Sequence, residues 1–128
     1  MSPARRKDDE LVQQMYKYSK ALTDMVATGW ITRERLGRSH HLQMEVTMHL
    51  QVIGEAARLL RDRGADLGPS VPLLAMAGMR NRVSHDYEGV DWSIVEAVVF
   101  EDVPELVEEL GAFMDAHAIE RVEIDLSE

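Results

Sequence analysis

Hydrophobic residues recur at steps of three and four over a long stretch near the middle of the chain. The members of this series are Leu42, Val46, Leu50, Ile53, Ala57 and Leu60. This spacing places all of them on one face of an α-helix, and that face must be buried against other parts of the fold. Gly64 follows the last member and is typical of a helix end. The pattern therefore predicts an amphipathic helix over about residues 39–63.

The other apolar residues follow the same period, which predicts an all-α fold. The predicted elements are a helix over about 8–28, a loop over 64–72, a shorter helix over about 73–87 and a last helix from Asp91 to about 117. Asp91 is the expected N-cap, and Pro104 must bend or restart that helix, with Asp102 available as a second cap. The tail after residue 118 is either a short strand or disordered. We expect a bundle of four or five helices.

Length and composition indicate one domain over 1–128, with a core over about 8–117 and a C-terminal tail over 118–128. Hydrophobic residues make up 45% and charged residues 29%, the balance of a globular protein rather than a disordered one. The lack of cysteine excludes disulfide bonds and thiolate metal sites, and it fits a reducing cytoplasm. No apolar run approaches the roughly 20 residues that span a bilayer, and the charged start does not resemble a signal peptide. We therefore expect a cytoplasmic protein without a membrane partner.

The charge of the chain limits how it can bind nucleic acid. A net charge of −9 argues against a protein that coats nucleic acid with its whole surface, because such binding depends on summed phosphate neutralisation. Arginine nevertheless outnumbers lysine 11 to 3, and arginines cluster within 33–38, 58–63 and 80–82. The acidic residues concentrate after Asp86. This asymmetry allows a basic patch on an acidic body.

One stretch near residue 80 concentrates groups that can act on a phosphodiester. It reads Met79-Arg80-Asn81-Arg82-Val83-Ser84-His85-Asp86-Tyr87. Arg80 can hold a phosphate with a planar fork of donors, and His85 can exchange a proton near neutral pH. Tyr87 adds a hydroxyl that can donate, accept or be modified. Together these groups can grip RNA and attack it without a metal.

The spacing of Arg80 and His85 does not by itself identify a site. Arg35 and His40 share it, in a segment that the pattern predicts as the loop before the helix over 39–63. In a regular helix five residues turn about 500°, which places Arg80 and His85 roughly 140° apart. They converge on one phosphate only if the helix end is irregular or a second subunit contributes. The alternative is a solvent-facing helix end with unrelated charges.

Further pieces of sequence accompany this stretch, and they read Gly54-Glu55-Ala56-Ala57, Val71-Pro72 and Val90-Asp91. With the block from Gly78 to Tyr87, they make the chain resemble the HEPN superfamily. The branch it resembles is the HepT-like one, the toxin half of HepT/MntA toxin–antitoxin pairs. The resemblance extends from about Leu11 to Met114 and includes the helix break at Pro104. Leu73 departs from the pattern, since an aromatic residue often follows that proline, and we expect this to affect packing rather than chemistry.

The resemblance implies a single HEPN domain that forms a homodimer and cleaves RNA. The catalytic residues would be Arg80 and His85, and two such motifs would meet across a two-fold cleft. Tyr87 would be the position where a partner MntA-like nucleotidyltransferase attaches AMP and silences the toxin, as in type VII-like pairs. That partner would use ATP and Mg²⁺, whereas cleavage itself would need no metal or other cofactor. The chain lacks the Gly-Ser and paired-aspartate pattern of such a transferase, so it would be the substrate.

At the residue level, our hypothesis is that His85 acts as general base on the 2′-hydroxyl or as acid to the leaving oxygen. Arg80 would stabilise charge on the phosphoryl oxygens. Asn81 could add a supporting hydrogen bond, or lie on the helix surface without a role. An alternative function is a non-catalytic HEPN module that docks a nucleotidyltransferase or binds nucleotide. Both functions are compatible with Arg80 and His85.

Other sets of residues predict structure rather than function. His41, Glu45 and His49 share one helix face and could ligate zinc, but a surface stripe is the favoured interpretation. Trp30, Trp92 and the Met-rich helix faces are interpreted as core.

Overall fold

The computed structural model describes residues 2–69, 71–73, 75–78 and 91–126. Its α-helices are α1 (Pro3–Ala27), α2 (Arg33–Arg38), α3 (His40–Asp62), α4 (Trp92–Ala97) and α5 (Val103–Ala116), with a π-helical turn over Val98–Asp102 between α4 and α5. Residues 75–78 are also helical, and the described ranges contain no strand. The predicted all-α fold is confirmed.

The ends of the two long helices follow from local capping. Ser2 accepts a hydrogen bond from the amide of Arg5 at 3.2 Å, and Pro3 occupies the first turn, where a missing amide hydrogen costs nothing. For that reason α1 begins about five residues before the predicted start near residue 8. Ser39 caps α3 in the same way, and Gly64 follows α3 with a φ of +74°. The predicted helix over about 39–63 is confirmed.

The prediction of a loop around Arg35 is wrong, because α2 occupies this segment. Thr32 caps the helix by accepting from the amide of Arg35 at 3.1 Å, and the side chain of Leu36 is fully buried. The side-chain amide of Gln43 donates to the carbonyl oxygen of Leu36 at 2.9 Å and fixes α2 against the start of α3. Six residues are too few to show a helical period, so these tertiary contacts decide the structure.

The core forms where α1 packs along both α3 and α5. Its largest fully buried side chains include Met15, Tyr16, Leu22, Leu50, Ile53, Leu110 and Met114. Each of these residues lies on the apolar face that its helix presents to the others. The hydrophobic period therefore placed the core-facing sides of α1, α3 and α5 correctly.

The junction between α4 and α5 contains a π-helical turn. Pro104 lacks the amide hydrogen that would continue the regular ladder, and the amide of Val103 donates to the carbonyl of Val98, five residues back. The predicted irregularity at this proline is thus confirmed. The expected cap is not, because the side chain of Asp102 makes no capping hydrogen bond.

The C-terminal tail is irregular over residues 119–126, so the alternative of a strand is wrong for this range. It packs on the bundle through Arg121, which donates to Asp115 at 2.8 Å and lies 5.4 Å from the ring centroid of Tyr16. The side chain of Gln13 also donates to the carbonyl of Glu120 at 2.9 Å. These contacts tie the tail to both α1 and α5.

Among the helices in the described part of the chain, none combines the length and the apolar character needed to cross a membrane.

Candidate functional site

The predicted catalytic and modification residues lie outside the described residues. Arg80, Asn81, His85 and Tyr87 all fall within residues 79–90. Their roles therefore stay predictions from sequence. The described structure bears on them through the elements that enter and leave this segment and through the surface next to those elements.

The chain enters the segment from helical residues that are anchored in the core. Val71 and Met76 are buried, and the amide of Met76 donates to the carbonyl of Pro72 at 3.0 Å. Gly68 lies in the turn before these residues and has a φ of +86°, a backbone conformation that is unfavourable for residues with a side chain. The burial of Val71 and Met76 therefore holds the chain against the core just before residue 79.

The chain leaves the segment through the capped start of α4. One carboxylate oxygen of Asp91 accepts from the Ser93 amide at 3.0 Å and from the Ser93 hydroxyl at 2.5 Å. The Ser93 side chain is the main reason that the pKa of Asp91 lies below its ordinary value, and the backbone hydrogen bonds add to it. Val95 is buried beneath this cap. The predicted N-cap role of Asp91 is confirmed, and this end of the segment is also fixed to the core.

Helix α2 packs against α4, the helix that follows the segment. The guanidinium of Arg33 donates to Glu96 at 2.6 Å and lies 4.6 Å from the ring centroid of Phe100. The ion pair orients Arg33, and the stacked ring limits its other conformations. These contacts place the arginine cluster of α2 next to α4.

Trp30 is 50% exposed, so the interpretation of this residue as core is wrong. The guanidinium carbon of Arg35 lies 4.3 Å from its ring centroid, and Arg35 Nη1 donates to its carbonyl oxygen at 2.6 Å. Trp92, by contrast, is partly buried against the core. The stacked pair was not predicted from the sequence, in which Trp30 is followed by three arginines within nine residues. An exposed aromatic side chain beside basic residues is an arrangement that proteins use to bind single-stranded nucleic acid.

The stripe of His41, Glu45 and His49 does not lie wholly on the surface. His49 is buried, its Nδ1 lies 2.7 Å from the carbonyl oxygen of Glu45, and its ring packs edge-on against Tyr18. His41 is exposed. The surface interpretation is therefore wrong for His49, which belongs to the contact between α1 and α3. No group of three or more His, Asp or Glu side chains among the described residues is arranged to hold a metal ion.

The outer face of α3 carries exposed methionines, which corrects their interpretation as core. Met44 and Met48 are each 53% exposed. Met48 borders a shallow groove whose lining also includes Gln14, Val52 and Leu59. This groove lies between α1 and α3, and its lining mixes apolar side chains with polar ones, among them Gln51 and Glu55.

Comparisons with known proteins identify relatives over most of the chain. The family model described as Ribonuclease HepT-like matches residues 15–113. A Methanocaldococcus jannaschii protein named as a candidate RNase is 35% identical over 69 residues, or 54% of this chain and 63% of that protein. Another from the same organism, with the same kind of name, is 28% identical over 97 residues, or 75% of this chain and 80% of that protein.

A further relative is the Thermococcus cleftensis protein named Probable ribonuclease HepT. It is 38% identical over 64 residues, or 50% of this chain and 58% of that protein. The alignments therefore span about three fifths of this relative and of the first M. jannaschii protein. No solved structure matches the chain significantly. Because the family model covers most of the helical core, the chain belongs to the HepT-like family.

Proposed function

We propose that this protein is a metal-independent endoribonuclease toxin of a type VII-like toxin–antitoxin pair. The observation that carries the proposal is the family match over residues 15–113, which spans the Arg80–Tyr87 stretch. The names of the relatives, candidate RNase and Probable ribonuclease HepT, support the same activity. The fixed ends of the 79–90 segment at Met76 and Asp91 are consistent with a site that the core holds in position.

The proposed reaction is transesterification within the RNA backbone. His85 removes the proton of a 2′-hydroxyl, whose oxygen attacks the adjacent phosphorus while the bond to the 5′-oxygen breaks. The products are a 2′,3′-cyclic phosphate and a 5′-hydroxyl, whose proton comes from protonated histidine. Arg80 stabilises the charge that develops on the phosphoryl oxygens. Asn81 adds a supporting hydrogen bond.

The proposed site is shared by two chains. On a regular helix Arg80 and His85 would point about 140° apart, so Arg80 of one chain would act with His85 of the other across a two-fold axis. The exposed side chains of Met44 and Met48 support self-association, because exposed apolar side chains favour burial against a second surface. A homodimer would therefore bring an arginine and a histidine together, which a regular helix in one chain does not do.

The proposed inhibition is transfer of AMP to the hydroxyl of Tyr87 by a partner nucleotidyltransferase. The phenol oxygen attacks the α-phosphorus of ATP, the bond to pyrophosphate breaks, and the phenol proton is released to solvent. Mg²⁺ supplied with the partner would neutralise charge on the phosphates. The added phosphodiester is anionic, and it lies two residues after His85 in the sequence. Its charge and bulk would exclude an RNA phosphate from the same site. Incubation with the partner and ATP should increase the intact mass of wild type but not of Tyr87→Phe.

A cleavage assay on labelled RNA tests the catalytic proposal. We expect His85→Ala to reduce the rate by roughly 10²- to 10⁴-fold and Arg80→Ala by roughly 10²- to 10³-fold. His117→Ala and Arg61→Ala are matched controls, because both side chains are exposed and lie outside the segment. Undiminished cleavage by both site variants would end the assignment. Wild type that never cleaves RNA but still accepts AMP would favour the non-catalytic module instead.

A further inference from the structure

Trp30 presents a flat aromatic surface to the outside of the fold. It is 50% exposed, in the connection between α1 and α2. Arg35 holds it through the stacked guanidinium at 4.3 Å and the hydrogen bond to its carbonyl at 2.6 Å. Thr32, which caps the amide of Arg35, fixes the intervening turn. The indole therefore has a defined orientation before any ligand arrives, which lowers the entropy that binding must overcome.

The surface around Trp30 is locally basic. Residues 25–44 contain three arginines and one acidic residue, Glu34, in a chain of net charge −9. Glu96 of α4 pairs with Arg33, so the three arginines and these two carboxylates together carry +1. The side chain of Arg38 is 70% exposed, and its ion pair with Glu34 at 3.3 Å lies in solvent. Such a pair is weak, so Arg38 can exchange Glu34 for a phosphate at little cost. We call Trp30, Arg33, Arg35 and Arg38 the α2 platform.

The α2 platform is joined to the helix that follows the proposed catalytic segment. Arg33 makes the connection through Glu96 at 2.6 Å and through the ring of Phe100. Helix α4 begins at Trp92, which follows His85 by seven residues in the sequence. A ligand bound on the α2 platform is therefore held by an element that packs directly on the helix leaving that segment.

We propose that the α2 platform binds the RNA substrate in single-stranded form, with a base stacked on Trp30 and a phosphate on Arg38. The inference rests on the proposed ribonuclease function, since it names the class of RNA that this enzyme takes. A base in an A-form duplex is already stacked between its neighbours, so only an unpaired nucleotide can lie on the indole. Stacking tolerates any base, because every base has a π-face. The substrate is thus unpaired RNA with little sequence preference at this position.

Fluorescence anisotropy with a short labelled 2′-O-methyl oligoribonucleotide tests the proposal. The methyl group blocks the attacking oxygen, so that affinity is measured separately from cleavage. We expect Trp30→Ala to weaken binding about tenfold, and Trp30→Phe to keep most of the affinity. Arg38→Gln should weaken binding and lower the slope of log K against log salt by about one. The matched controls are Val122→Ala and Arg61→Gln, whose exposed side chains lie elsewhere, and they should bind like wild type.

A duplex of the same sequence provides the second arm, and its affinity should be insensitive to Trp30→Ala. Equal single-strand affinity of Trp30→Ala and wild type would overturn the inference. So would a Trp30→Ala variant that binds RNA normally but no longer accepts AMP from the partner, because the surface would then dock a protein. Cleavage of the unmodified oligonucleotide, measured in parallel, separates the two proposals. If wild type cleaves RNA and Trp30→Ala keeps the KM and affinity of wild type, only the α2 platform proposal is refuted. If binding depends on Trp30 but wild type does not cleave, only the ribonuclease proposal is refuted.

Discussion

Arg33 on α2 and Glu96 on α4 form an ion pair with 2.6 Å between Nη1 and Oε1, across 63 residues of sequence. The two side chains are 53% and 29% exposed, so solvent screens part of their attraction. The pair matters mainly because it orients α2 against the helix that follows the proposed catalytic segment.

Removal of this pair should have a small but measurable effect on stability. We expect a double-mutant cycle of Arg33→Ala and Glu96→Ala to give a coupling free energy of about 0.5–1 kcal/mol. The parallel cycle on Arg38 and Glu34, which are more exposed at 70% and 76%, should give less. Urea unfolding of the four proteins in each cycle measures both values, and equal coupling in the two cycles would contradict the orienting role of Arg33.

The cap of α4 should make stability depend on pH in the acid range. Hydrogen bonds from Ser93 lower the pKa of Asp91 below its ordinary 3.8 in the folded protein. The stabilisation is therefore fully present above pH 3.8 and is lost as the pH falls through the lower folded value. Asp91→Asn keeps a capping side chain without the titrating group, and Asp91→Ala removes the cap.

The midpoint of urea unfolding should fall for Asp91→Ala at neutral pH and change little for Asp91→Asn. As the pH drops below 3.8, the urea midpoint of wild type should fall relative to that of Asp91→Asn. A constant difference between these two proteins from pH 7 to pH 2 would refute the titration of this cap.

The α1–α5 contact should be sensitive to loss of volume. Leu110 is fully buried, and Leu110→Ala should lower the free energy of unfolding by about 2–5 kcal/mol through lost burial and a residual cavity. Leu126→Ala makes the same chemical change at a side chain that is 43% exposed, and it should stay within about 0.5 kcal/mol of wild type. Thermal and urea denaturation measure both, and similar losses at the two positions would contradict the packing described for α5.

Mixed dimers should reveal whether the proposed active site is shared. Arg80→Ala and His85→Ala are each expected to be inactive alone. If Arg80 of one chain acts with His85 of the other, a heterodimer of the two variants keeps one intact site of two. Co-refolding them in equal amounts should give about half of the dimers as heterodimers, and hence about a quarter of the wild-type activity per site. No recovery, with heterodimers verified by native mass spectrometry, would place both residues in one chain.

Agreement between sequence and structure is best where the hydrophobic period extends over several turns. The helix predicted over about 39–63 is observed at His40–Asp62, because its apolar series is long and both ends carry capping signals. The same period failed at α2, whose six residues contain one buried side chain, Leu36. For so short a helix, packing outweighs local propensity.

Single aromatic and polar residues were predicted less well than helices. Trp30 lies on the surface, where Arg35 stacks on its ring. His49 is buried, with its Nδ1 near the carbonyl oxygen of Glu45 and its ring packed against Tyr18. Hydrophobicity gives only the average behaviour of a residue type. The partners that reverse that average come from other parts of the chain.

By itself, the sequence determined the all-α class, the core-facing sides of the long helices, the cap at Asp91 and, through the match over residues 15–113, membership of the HepT-like family. Those properties depend on residue spacing and on local hydrogen bonds, which involve residues close together in the sequence. Only the tertiary structure decided that α2 packs on α4, that the tail lies against Tyr16, and that Trp30 and Arg35 form an exposed stacked pair. Such contacts join separate elements, and the geometry that brings them together exists only once the core has formed.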